Sequence, residues 1–301
     1  MTGREARAES RAGWGFVSPA LLLIGIFFAV PVAGAFVLSF TDFDLYSIGD
    51  FASTRFVGLK NYRDLLGNPL FWTALRNTTF FVVVGGPLSV AVSLAAAVAV
   101  NSKLVRWKPL FRSAFFAPWV TTLVAVAIVW RYLYHPQYGL FNAGLALLGL
   151  GPVDWLGNPR WAMPAIILLS VWKNFGYNML VFLAGLQAIP EELYEAAALD
   201  GAGAWHRFRH VTVPMLGPTF VFVGVVTMIA SFQIFSEPYV MTQGGPLKAT
   251  ETLVLFMYEE GFRWWRLGSA AAIAVVLFLL TLAGTLIQLR LRRGGGGEAA
   301  A

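Results

Sequence analysis

Residues Glu195-Ala196-Ala197-Ala198-Leu199-Asp200-Gly201-Ala202-Gly203-Ala204-Trp205-His206-Arg207-Phe208-Arg209-His210-Val211-Thr212-Val213-Pro214 form a polar stretch between two apolar runs, 162–186 and 217–236. Each flanking run is near the ~20 residues that a helix needs to cross a bilayer. Four further runs of this kind lie at 16–40, 76–100, 111–133 and 268–289. Of the 301 residues, 57% are hydrophobic and 13% charged, against roughly a quarter charged in a soluble domain. Backbone polar groups in lipid are satisfied only within helices or closed barrels. The runs lack the period-two alternation of barrel strands, so the expected fold is all-α, a polytopic integral membrane protein with six transmembrane helices.

The boundaries expected are an N-terminal tail at 1–12, a membrane domain at 13–293 with a polar loop at 187–216, and a flexible C-terminal tail at 294–301. The first run follows Arg4, Arg7 and Arg11 as a signal peptide would, but it is longer than a signal core and no small-residue cleavage site follows. It is therefore read as a retained span. The fifth run carries Thr227, Ser231 and Gln233, which marks a span with a polar face. Trp119, Trp130, Trp161, Trp264 and Trp265 stand near run ends, where indoles anchor at the membrane interface.

The net charge of +6 is read as a topology signal rather than as affinity for nucleic acid. With a cytoplasmic N-terminus the inner segments hold twelve Lys and Arg and the longer outer segments nine. The positive-inside rule then places both termini and the 195–214 stretch on the cytoplasmic side. No cysteine is present, which excludes disulfides and zinc-thiolate sites.

Within the loop, Pro190 stands where a helix starts, and Glu191 and Glu192 in its first turn complement the helix dipole. Gly201 supplies a residue able to end that helix in the left-handed region. A second short helix is expected over 202–210, stopped by Val213-Pro214 and Gly217-Pro218. The product is a helix-turn-helix elbow.

Glu195-Ala196-Ala197, Gly201, Val211, Val213 and Pro214 carry the spacing Glu-Ala-Ala, three residues, Gly, nine residues, aliphatic, any, aliphatic, Pro. In this the chain resembles the membrane subunits of bacterial ATP-binding-cassette importers. Asp200-Gly201-Ala202 resembles their sugar-uptake branch. So do Pro19, Pro31, Ser39-Phe40-Thr41-Asp42, Phe56-Val57-Gly58-Leu59, Asn61-Tyr62, Asn77-Thr78, Thr242, Gly244-Gly245-Pro246 and Tyr258, which look like its first-permease pattern. The resemblance implies the type I importer permease fold and an elbow that docks in a cleft of a separate ATPase. Glu195, Ala196, Ala197, Asp200, Gly201 and Pro214 are the coupling residues it implies, with Glu195 meeting a basic residue of the ATPase. It also implies a second permease, two ATPase subunits that use ATP and magnesium, a periplasmic or lipid-anchored solute-binding protein, and a bacterial cytoplasmic membrane location. The Ala pair also fits an ordinary amphipathic surface helix.

No Gly-x-x-x-x-Gly-Lys-Ser/Thr phosphate loop occurs, so ATP hydrolysis and any catalytic residue are expected on another chain. His206 and His210 lack a third ligand at metal-site spacing, and no metal or cofactor is expected here. Polar residues within a span are costly and mark function. The candidates for solute contact are Lys173, Asn174, Tyr177 and Asn178 in the fourth run with Gln233 and Phe235 in the fifth. Their amides, hydroxyl and aromatic faces suit a sugar; the same residues also fit hydrogen bonding between spans, and Lys173 fits snorkelling or an ion pair. A glycerol-phosphate compound is an alternative solute. An ion-coupled secondary transporter would want in-membrane acids, and all sixteen acids lie in tails, loops or near run ends.

Overall fold

The fourth apolar run forms one helix, Pro159–Gln187, capped at its start by the Asn158 side chain, which accepts from the Arg160 amide. It is the axis on which the second span, the Gly217–Phe232 part of the fifth and the Lys108–Val120 part of the third are packed. The computed structural model describes residues 3–49 and 54–295. It divides into two units, one of 1–68 with 257–276 and one of 69–256 with 277–301. The described residues contain no β-strand, only an isolated bridge between Thr41 and Phe56.

Among the described residues four helices are long and apolar enough to cross a membrane: Gly13–Leu38, Pro69–Asn101, Pro159–Gln187 and Leu267–Arg290. The other two expected spans are bent. Lys108–Val120 and Leu123–Leu133 meet at 99°, so the run 111–133 is a broken span rather than the single rod expected. Ala204–Met215 and Gly217–Phe232 meet at 68°. At the first break Pro118 removes a backbone donor, and Thr121 and Thr122 take extended backbone angles.

Prolines act differently elsewhere. Wide turns at Gly25–Ala29, Phe81–Gly85 and Phe208–Thr212 interrupt otherwise continuous helices. Each ends two residues before a proline, namely Pro31, Pro87 and Pro214. A proline ring collides with the carbonyl four residues back and lacks the donor for it, and a π turn moves that carbonyl aside. Pro214 therefore does not stop the second elbow helix, which runs to Met215; the stop comes at Leu216–Gly217–Pro218.

The N-terminal tail is helical from Gly3. The last helix extends to Gly295, and the rest of the expected flexible tail lies outside the described residues.

Motif residues that could only be matched as a pattern now acquire mechanical roles. In the first unit the Asn61 amide donates to the carbonyls of Ser39 (2.9 Å) and Thr41 (2.8 Å), and the Tyr62 hydroxyl donates to Ser39 Oγ (2.7 Å). Gly268 lets helix Leu267–Gly295 touch the Thr41 carbonyl, where any side chain would collide. In the second unit the Asn77 amide holds the carbonyls of Lys248 and Glu251, both at 2.9 Å. Thr78 Oγ1 accepts from the Leu253 amide at 2.9 Å. The Glu251 carboxylate is fully buried beside Gly244 and paired with Lys248 at 3.1 Å.

Two apolar clusters divide the fourth span. One gathers Met163, Ile166, Ile167 and Leu169 with Phe81, Trp130 and Tyr134. The other gathers Met179, Phe182, Leu183 and Leu186 with Ala97, Leu216 and Val223. Trp130 belongs to the first cluster, not to an interfacial belt as expected. The polar segment 173–178 lies between them.

Candidate functional site

Between these clusters the second, fourth and fifth spans and the break of the third enclose a cavity of about 440 Å³. Five of the six residues expected to meet solute line it: Asn174, Tyr177, Asn178, Gln233 and Phe235. Their spacing explains the convergence. Residues three and four apart share a helix face, and the fifth helix ends at Phe232, so Gln233 and Phe235 reach the lining from the turn that follows it.

Several of these groups are already engaged. The Asn174 amide donates to the Ser170 carbonyl (2.9 Å), and the Asn178 amide donates to Thr227 Oγ1 (3.1 Å), tying the fourth span to the fifth. Ser231 Oγ donates to the Thr227 carbonyl at 2.7 Å. Ser89 and Gln233 are among the lining residues whose polar groups stay open to an occupant. Ser89 Oγ is buried with no hydrogen-bond partner, and the exposed Gln233 amide forms no side-chain hydrogen bond. A buried hydroxyl left unpaired costs about 1–3 kcal/mol, which an occupant's hydroxyl would recover.

Lys173 is not part of this lining. Its Nζ donates to the carbonyls of Pro118 (3.4 Å), Trp119 (3.2 Å) and Thr121 (3.0 Å) at the break of the third span. Sequence reasoning missed Trp119 as a lining residue, having assigned it to the membrane interface. It also missed Glu237, which lines the cavity. The signal for Trp119 was Pro118 followed by two threonines, a break in an apolar run. Glu237 stood just beyond the end of the fifth run.

The second site is the elbow. Glu191–Leu199 is a helix with no buried residue, and it ends as Gly201 suggested, with φ +77°. The Gly201 amide donates to the Ala198 carbonyl (3.0 Å) and the Ala202 amide to the Ala197 carbonyl (2.9 Å), the paired bonds of a left-handed helix stop. Glu195, Ala196, Asp200 and Pro214 are exposed and Ala197 half-buried. Leu199 and Trp205 are 90% and 70% exposed, apolar groups held out from the bundle.

Tyr194, unremarked in the sequence, seats the elbow. Its ring packs on the second apolar cluster and its hydroxyl meets Thr212 Oγ1 at 2.9 Å, joining the two elbow helices. Lys103 and Glu191 pair at 2.7 Å. That contact pushes the Lys103 ammonium above its ordinary range and holds the Glu191 carboxyl below its own, through the hydrogen bond first and the charges second. His206 and His210 stack at 4.0 Å, and His210 Nδ1 lies 3.1 Å from the His206 carbonyl.

Within the second unit, a helix pair standing off packed spans that line a polar cavity fits a transporter. Residues 89–294 match the family model described as binding-protein-dependent transport system inner membrane component. The chain belongs to that family. This permease is 37% identical over 286 residues to the probable ABC transporter permease protein YurN of Bacillus subtilis strain 168, covering 94% of the chain and 96% of that protein. It is 36% identical over 296 residues to the arabinooligosaccharides transport system permease protein AraP of the same strain, covering 97% and 91%. The fold of the permease matches a crystal structure of a bacterial alginate ABC transporter, solved with an alginate pentasaccharide-bound periplasmic protein. That match has a TM-score of 0.80 at 20% identity and covers 99% of each chain.

Proposed function

We propose that the permease passes a sugar or oligosaccharide inward across the cytoplasmic membrane, powered by ATPase subunits that dock on the Glu195–Pro214 elbow. The observation that carries this is the cavity: amides, hydroxyls and aromatic rings line it, and its one charged lining residue among those described is Glu237. A sugar offers hydroxyls around an apolar ring face, which matches such a wall. The arabinooligosaccharide relative supports the solute class.

In this reading the permease pairs with a second permease, sits on two ATPase subunits that use ATP and magnesium, and receives solute from an external binding protein. Both termini are cytoplasmic, and this chain binds no cofactor of its own. The exposed Leu199 and Trp205 and the rigid stop at Gly201 support docking of the elbow, because a stiff projection transmits a rotation that a loose loop would absorb. The test is to purify the assembled transporter and measure ATP hydrolysis in vesicles with loaded binding protein across neutral saccharides and glycerol phosphates. Stimulation by saccharides is expected. Stimulation by glycerol phosphates alone, or uptake without ATP, would overturn the reading.

A further inference from the structure

The 99° break between Lys108–Val120 and Leu123–Leu133 leaves the last carbonyls of a helix without intrahelical donors. Thr121 Oγ1 donates to one of them, that of Pro118, at 2.6 Å. Lys173, from the fourth span, adds its own donors: an ammonium has three, and the carbonyls of Pro118, Trp119 and Thr121 receive them. The negative end of the helix dipole adds its attraction for a cation. The fourth and third spans are close enough for this because Gly176 has no side chain; a Cβ there would run into the Phe115 carbonyl.

The residue at the centre of the capped turn is Trp119. Its indole stacks on the Tyr177 ring with centroids 5.1 Å apart and planes at 19°, and on Phe116 at 5.4 Å and 27°. Trp119 and Tyr177 both line the cavity, and Tyr177 stands one helical turn beyond Lys173. The cation therefore grips the backbone of the residue whose ring forms one wall, while its own donors are spent.

We propose that Lys173 is a positioning residue of the solute pathway: by closing the carbonyl end of the broken third span it holds the Trp119 indole against Tyr177, making the aromatic wall on which a sugar ring stacks. This rests on the sugar reading for the identity of the occupant, but not for the role of the lysine. Lys173 acts through Trp119 and does not touch solute.

The experiment uses the assembled transporter with its binding protein and compares wild type, Lys173→Met, Lys173→Arg, Trp119→Ala and the Lys173→Met/Trp119→Ala double variant. Hydrogen–deuterium exchange over residues 118–125 reads the cap without any solute. Exchange about tenfold faster in Lys173→Met, with Lys173→Arg close to wild type, is expected. The second readout is ATP hydrolysis driven by binding protein loaded from a panel of neutral oligosaccharides. Lys173→Met should raise KM about tenfold with kcat held, and should add nothing once Trp119 is Ala. Unchanged exchange would overturn the proposal, and so would a Lys173→Met effect that adds in full to Trp119→Ala, since the lysine would then meet solute itself. If Lys173→Met fails to assemble, Lys173→Gln, which keeps donors without charge, goes through the same two readouts. A wild-type complex indifferent to every saccharide sinks the solute class alone, and the exchange result still decides the role of Lys173.

Discussion

The Tyr194 hydroxyl and the Thr212 hydroxyl meet at 2.9 Å, and this bond joins the two arms of the elbow where they rest on the bundle. Thr212 is buried, so its hydroxyl has no water to turn to if the phenol oxygen is removed. Tyr194→Phe should cost about 1 kcal/mol locally and speed amide exchange across residues 191–212. Insertion and solute binding should persist while solute-stimulated ATP hydrolysis falls. Unchanged exchange would show that the ring alone seats the elbow.

Lys103 and Glu191 tie the same elbow from outside, but both side chains are largely in water, at 91% and 68% exposure. The lowered Glu191 carboxyl contributes above the ordinary carboxylate value and loses that contribution as pH falls through its lowered value. The raised Lys103 ammonium contributes below the ordinary lysine value and loses it as pH rises through its raised value. The pair therefore stays charged throughout the neutral range, and solvent screening keeps it weak. Lys103→Gln should leave co-purification of the ATPase and solute-stimulated ATP hydrolysis unchanged across that range, in contrast to the loss of stimulated hydrolysis expected for Tyr194→Phe. A sharp pH dependence of wild-type assembly near neutrality would point to a different group.

Gly201 sits at φ +77° with open space around it, so conformation rather than crowding restricts the position. A side chain in the left-handed region costs ~1–2 kcal/mol, more for a β-branched one. Gly201→Val should re-aim the second elbow helix and release the ATPase. Gly201→Asn, which tolerates that region, should retain it. Glu195→Lys should release the ATPase with the elbow's exchange pattern intact, because its side chain is exposed and its change is purely one of charge. ATPase co-purification measures all three variants.

Gly176 offers a test of packing. A methyl group there meets the Phe115 backbone, which cannot swing aside as a side chain end would. Gly176→Ala should destabilise by about 1–3 kcal/mol through overpacking and push the first half of the third span away. Gly144→Ala, with nothing within 4 Å, is the matched control and should be neutral or mildly stabilising. Thermal unfolding of the detergent-solubilised chain distinguishes them.

The apolar runs and the elbow were legible because both depend on local chemistry: length for the spans, Pro190 and Gly201 for the helix ends. The break in the third span was not, since Pro118 reads the same whether a helix bends or stops, and the cap that permits the bend comes from Lys173, far along the chain. Prolines 31, 87 and 214 carry the opposite lesson, because a wide turn absorbs each of them. The polar face of the fourth span that lines the cavity was legible as a spacing. What each polar group already holds depends on neighbours that no spacing reveals, as Asn178 with Thr227 shows.

That distinction separates two residues of the same cavity by experiment. Asn178 is buried and spends its amide on Thr227, so Asn178→Leu should lower thermal stability by about 1–3 kcal/mol through the orphaned hydroxyl. Its KM for a stimulating saccharide should change little. Gln233 has an unengaged amide at the cavity, so Gln233→Ala should leave unfolding unchanged. Loss of a hydrogen bond worth about 1 kcal/mol to the occupant should raise its KM roughly fivefold. If instead Asn178→Leu moves KM and Gln233→Ala moves stability, the cavity in which these groups meet solute opens in a different conformation from this one.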